Sequence, residues 1–301
     1  MMRAGSATQV TPRPRIGVHL RIATLRATLA LVAVAEFAWS VFFYVSPAAA
    51  LGALGRTVVD PVIARQYPLY LASAALAYGL AATNPRRYLG IAWVCIAQRG
   101  VELVVAAIDW RVHAIAERGF VAVASIEIVA AGMLAFAALG QSAEGSDRVN
   151  VAREDRSLVR LLRAFGGLQV FWFLASTIFV QLGARLLSWK LQDPYTTQQQ
   201  GIGLLVIGLV SLLAARDVAR YRVFVWVPVA SQLIGVANAF NEIHLGSIGW
   251  GVAATQWSIE LSIVAAFAYF SRRVLQRTKA RSSPRRGAAD DRTARVPSSR
   301  R

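Results

Sequence analysis

"VASIEIVAAG", residues 123–132, sets one carboxylate, Glu127, in the middle of an otherwise apolar run. A solvated helix or strand alternates polar and apolar residues at its own period, and this stretch does neither, so it belongs in the interior of a protein or a bilayer. The same Ser-Ile-Glu returns in "QWSIELSIVA", residues 256–265, where Glu260 takes the place of Glu127. Reading outward from both copies decides the fold class.

The chain has 301 residues, 56% of them hydrophobic and only 16% charged. The apolar residues fall in long runs, which is the composition of an all-α polytopic membrane protein. About 20 apolar residues in a helix cross a hydrocarbon core of roughly 30 Å. Eight such transmembrane helices are expected, near residues 27–45, 66–83, 88–109, 119–139, 161–184, 201–215, 223–242 and 252–271. The first is read as a retained helix and not a cleaved signal peptide, because it is long and contains Glu36.

Net charge is +17, and its placement matters more than its size. With the N-terminus inside, 26 of the 33 Lys and Arg fall in inward segments, 6 fall outside and Arg99 lies within a helix. The positive-inside rule then places both termini in the cytoplasm. The basic tails, 1–26 and 272–301, are expected to lie against anionic lipid headgroups. No folded nucleic-acid-binding module accompanies them, so nucleic acid is not an expected partner. A single cysteine, Cys95, rules out an intrachain disulfide.

An internal repeat organises the chain. Shifted by 133 residues, Asp60 to Ala137 aligns without gaps on Asp193 to Phe270, with 19 identities in 78 positions. Asp60-Pro61 meets Asp193-Pro194, Arg87-Tyr88 meets Arg220-Tyr221, and Trp93-Val94 meets Trp226-Val227. The expected organisation is a four-helix repeat at 27–139, a polar linker at 140–160 and a second repeat at 161–271. Four crossings per half give both copies the same orientation, as parallel repeats have.

A charge inside a bilayer is costly unless paired or hydrated, so intramembrane ionisable residues are candidates for a site. In the first half these are Glu36, Arg99, Glu102 and Glu127, with Asp109 nearer the end of its helix. Arg99 and Glu102 are three residues apart and share a helical stripe. At a rise of 1.5 Å per residue, Glu102 and Glu127 both lie roughly 12 Å below the outer helix ends. The repeat supplies an internal comparison: Glu36, Arg99 and Glu102 become Gln169, Gln232 and Gly235, while Glu127 persists as Glu260. The first half is therefore where a polar pocket is expected. A purely structural ionic network that joins helices is the alternative.

Other chemistry is weakly represented. Asp109 with His113, and Glu242 with His244, lack a third metal ligand, and no metal site is expected. No phosphate-binding loop, metalloprotease signature or nucleophile elbow occurs, and no cofactor is implied. Lys190 and Lys279 both lie away from helix centres, which excludes a retinal-type Schiff base.

Each half resembles the small four-helix bacterial membrane proteins of the BphX and DoxX type. The resemblance rests on Pro47 closing the first helix, "ARQYPLYL" opening the second, Arg99 in the third and Glu127 in the fourth. It covers 27–139, and less fully 161–271, where Gln232 replaces the Arg. It implies a four-helix bundle in a bacterial inner membrane and, for the DoxX type, a small accessory subunit of a redox complex.

The leading functional expectation is an intramembrane site that binds or translocates a small lipophilic or weakly cationic molecule, coupled to protonation of Glu127 or Glu102. The alternatives are a membrane enzyme with paired carboxylates acting on a lipid or isoprenoid, and an accessory subunit held together by its buried charges.

Overall fold

A computed structural model describes residues 16–141, 155–186 and 191–282. The ends of both basic tails and residues 142–154 of the linker lie outside the described residues. Among the described residues ten α-helices form in order: α1 (Ile16–Val45), α2 (Pro47–Ala53), α3 (Pro61–Thr83), α4 (Leu89–Arg111), α5 (Glu117–Ala138), α6 (Asp155–Phe173), α7 (Val180–Leu186), α8 (Pro194–Arg216), α9 (Trp226–His244) and α10 (Trp250–Ser282). A π-helical turn, Leu174–Ile178, follows α6, and a 3-10 turn, Arg222–Val225, precedes α9.

Seven segments among the described residues are long and apolar enough to cross a membrane, so the molecule is a helical, multi-pass membrane protein. The span expected at 66–83 is the one that does not qualify. Its helix, α3, matches α4 and α8 in length, but Arg65, Gln66, Pro68 and three tyrosines, Tyr67, Tyr70 and Tyr78, dilute its hydropathy. The span expected at 161–184 is not one regular helix either, because the π turn divides it into α6 and α7.

Local chemistry explains why several helices start earlier than the apolar runs. Asp60 accepts hydrogen bonds from the backbone N–H groups of Val62 (2.9 Å) and Ile63 (3.2 Å), and Pro61 takes the first helical position. Asp193 does the same for α8 through Thr196 N (3.2 Å), with Pro194 next to it. Such caps satisfy orphan donors, so the polar turns "ARQ" and "TTQQQ" become helical ahead of the runs expected from 66 and 201. At the other ends, α1 and α10 extend into the segments read as tails.

Element boundaries recur at the interval of the sequence repeat. Pro61–Thr83 and Pro194–Arg216 both begin and end 133 residues apart, as do Pro47–Ala53 and Val180–Leu186. The two halves do not stand as separate bundles. Within each half α1 packs on α3 and α4 on α5, and correspondingly α6 on α8 and α9 on α10. Across the halves α3 packs against α8 and α9, and α4 against α8. The largest apolar cluster among the described residues spans both halves, running from Leu29, Tyr78 and Leu134 to Leu162, Val210 and Phe267.

Close backbone approach helps to seat α6 on α8. A Cβ added at Gly166 would sit 2.9 Å from the carbonyl oxygen of Gly208, and one at Gly208 would sit 3.0 Å from that of Gly166. Small residues of this kind let membrane helices touch, where no difference in hydrophobicity pushes them together. Leu31, Val34, Phe136, Ile126, Val129 and Ile259 remain exposed, giving an apolar perimeter suited to lipid.

Candidate functional site

Three helices bring the first-half charges together. Arg99 on α4 pairs through Nη2 with Glu36 on α1, and through Nη1 with Glu102 Oε2 (3.0 Å) and Glu127 Oε1 (3.0 Å) on α5. The four side chains expected to meet therefore do meet. Two partners that the sequence reading missed complete the cluster. Gln98 donates through Nε2 to Glu36 Oε1 (3.2 Å) and Glu102 Oε1 (2.7 Å), and its own Oε1 accepts from the Tyr78 hydroxyl on α3. Their signal was available, since Gln98 and Glu102 are one helical turn apart, but neutral residues did not stand out against charged ones.

The cluster is tightly enclosed. Gln98 and Tyr78 are fully buried, and Glu36, Arg99, Glu102 and Glu127 are only 6–9% exposed. A guanidinium that bridges α4 to α1 and α5 ties three helices together, and this geometry closes the space where a pocket was expected. Arg99 Nε and Glu127 Oε2 are the cluster's buried atoms with no partner among the described residues.

Asp109 is not a member. It is buried in a second polar group nearer the helix ends, where Arg56 and Asp193 are the charges that act on it. There Arg56 pairs with Asp193 (3.4 Å), donates to the Ala114 carbonyl and lies 4.2 Å from the centre of the Tyr195 ring. Arg65 pairs with Glu242 (3.4 Å) on the same side of the molecule. Both ion pairs join the first half to the second.

The second half departs from expectation. A cavity of about 800 Å³ lies where the first half has its ionic cluster, within the range of pockets that hold small ligands, roughly 300–1,000 Å³. Gln169 on α6, Gln232 on α9 and Glu260 on α10, the counterparts of Glu36, Arg99 and Glu127, all line it. Gly235, the counterpart of Glu102, contributes no side chain, and a Cβ placed there would collide with the Glu260 carboxylate. Gln200, Gln256, Ser176, Ser231 and Thr255 add further polar groups. Leu168, Val252 and Ile259 line the same cavity while exposed at the perimeter, so it opens between α6 and α10 toward the bilayer.

Hydrogen bonding in this cavity is incomplete. Gln256 donates to Glu260 Oε1 (3.0 Å), but Glu260 Oε2, Gln169 Oε1 and Gln200 Oε1 have no partner among the described residues. Among the described residues no basic side chain lines the cavity. Asn238, which the sequence places on the neighbouring helix, accepts instead from the Tyr44 hydroxyl (3.3 Å) of α1.

The π turn borders this space. Thr177 Oγ1 donates to the Gln198 carbonyl (2.9 Å) and Gln198 Nε2 to the Thr177 carbonyl (3.3 Å), fixing the turn against α8 beside the cavity-lining Ser176. Helices widen at such turns, which are frequent at functional sites. Compared with known proteins, the chain matches no family model, no curated protein and no solved structure.

Proposed function

We propose that this protein binds a small lipophilic, weakly cationic molecule taken from the bilayer, and that the site is the second-half cavity. One observation carries the reading: Glu260 stands in a cavity open toward lipid, with one carboxyl oxygen unpartnered and no basic side chain on the walls among the described residues. A carboxylate in such surroundings is stabilised by a cation, and an ammonium headed by an apolar body supplies one while its tail rests on Leu204, Ile207 and Ile263. The glutamine carbonyls of Gln169 and Gln200 are acceptors for the remaining N–H groups of an amine.

The reading includes the architecture. α3 is the eighth crossing, with its polar residues screened by α1, α8 and α9, and the chain is a tandem duplication of a four-helix unit. The 133-residue recurrence of element boundaries supports this. An even number of crossings returns both termini to one side. The first-half cluster serves to hold α1, α4 and α5 together, and its enclosure speaks against a role for Glu127 and Glu102 as an acid and base acting on a lipid.

The test is equilibrium binding of a fluorescent long-chain primary amine to the full chain in lipid nanodiscs, compared with the alcohol of the same chain length. The amine should bind at least about tenfold more tightly, a difference of the size expected of a charge-assisted hydrogen bond. Equal binding of amine and alcohol would refute the proposal.

A further inference from the structure

At the opposite level of the molecule from Arg56 and Asp109, the α3–α4 and α8–α9 connections interlock. Arg87 donates through Nη2 to the Ala219 carbonyl (3.2 Å), and Arg220 donates to the Arg87 carbonyl and, through Nη2, to the Arg86 carbonyl (3.2 Å). The two arginines occupy equivalent repeat positions and cross-brace the halves. A second cavity, about 330 Å³, lies at this seam and is lined by Arg87, Arg220 and Arg222 together with Tyr88 and Trp226.

The charge here is unbalanced. Arg87, Arg220 and Arg222 form no ion pair among the described residues. The neighbouring carboxylate, Asp217, is engaged by the backbone N–H of Arg220 (3.0 Å). Arg87 and Arg220 spend part of their donor sets on carbonyls, which fixes their planes and leaves other N–H groups free. Arg222 makes no hydrogen bond to the described residues, so its whole fork is available for an acceptor. Leu158, Val218 and Val225 form an apolar wall beside these groups, and Trp226 is 47% exposed at the end of a membrane-length segment, the level at which Trp meets headgroups.

We propose that this seam is a specific site for the phosphate of an anionic phospholipid. The phosphodiester would accept from Arg222 and the free N–H groups of Arg87 and Arg220, since planar guanidinium forks match phosphate oxygens in pairs. An acyl chain would leave along the apolar wall toward the bilayer. Lipid bound here would clamp the seam between the two halves. This goes beyond a general attraction of the basic tails to the membrane surface, because it assigns one cavity and three side chains.

The experiment uses the full chain in vesicles of phosphatidylcholine doped with phosphatidylglycerol whose acyl chains are brominated. Quenching assigned to Trp226 is obtained by subtracting the signal of Trp226→Phe protein. At equal mole fraction, brominated phosphatidylglycerol should quench Trp226 several-fold more than brominated phosphatidylcholine. Arg222→Gln, which removes no hydrogen bond within the described residues, should lower that preference by roughly fivefold, the worth of one basic residue at a membrane surface. Two results would overturn the proposal: equal quenching by the two lipids, or a preference unchanged in Arg222→Gln. If millimolar inorganic phosphate abolishes the preference, the site takes free phosphate and the lipid assignment falls.

Discussion

The two halves answer the same problem, a polar level inside a helical bundle, in opposite ways. In the first, Arg99 draws Glu36, Glu102 and Glu127 onto one guanidinium, and α1, α4 and α5 close around it. In the second, amides replace two of the four residues, Gly235 removes a third side chain, and a cavity remains with Glu260 on its wall. The helices differ too. Residues 41–45 are regular helix within α1, whereas their counterparts 174–178 form the π turn beside the cavity. Where α6 does meet α10, it does so through Phe165 and Phe267, ring centres 5.5 Å apart. Three differing side chains thus separate a staple from an opening.

The largest expected effect comes from breaking the staple. Arg99→Gln leaves three carboxyls buried around a neutral amide, and removing one partner of a buried ion pair costs about 3–5 kcal/mol. Thermal unfolding in detergent should show a large drop in midpoint or a failure to accumulate, and a variant as stable as wild type would show that the cluster is not what holds this half closed.

Rebuilding the staple in the second half is the converse. Protein carrying Gln169→Glu, Gln232→Arg and Gly235→Glu together should fill the cavity and reduce long-chain amine binding by about 100-fold or more, since the volume and the free carboxylate disappear together. Wild-type affinity in this triple variant would place the ligand elsewhere.

A smaller change isolates charge. Glu260→Gln keeps the shape of the cavity and should weaken amine binding about tenfold while leaving the alcohol analogue unaffected, the worth of one charge-assisted bond. Glu127→Gln, in the closed half, should alter stability without changing the preference for amine over alcohol. The smallest effect is expected at Gln256, which orients Glu260 through one bond of 3.0 Å. Gln256→Leu should weaken amine binding by roughly fivefold, measured in the same titration.

Much of this was legible in the chain because membrane folding leaves strong one-dimensional signals. Long apolar runs give most of the helices and the shift of 133 residues aligns one half of the chain on the other, whereas the starts of α3 and α8 at Pro61 and Pro194 lie ahead of the apolar runs, because the Asp60 and Asp193 caps draw polar turns into the helix. The convergence of Arg99 with three glutamates was also readable, as buried charges must find one another. Tyr78 and Gln98 escaped notice since neutral polar residues are inexpensive enough to occur anywhere. The sequence places Asp109 nearer the end of its helix, and there it meets Arg56 and Asp193, charges from other segments that its position on α4 does not reveal.

The sequence by itself determined the helical membrane class and which residues carry charge, because hydropathy and residue identity are local properties of the chain. Only the tertiary structure decided where the space lies. Packing is a competition among all neighbours at once, and the half richer in charge closes on its own ion pairs while the half with amides and a glycine at those positions keeps the room.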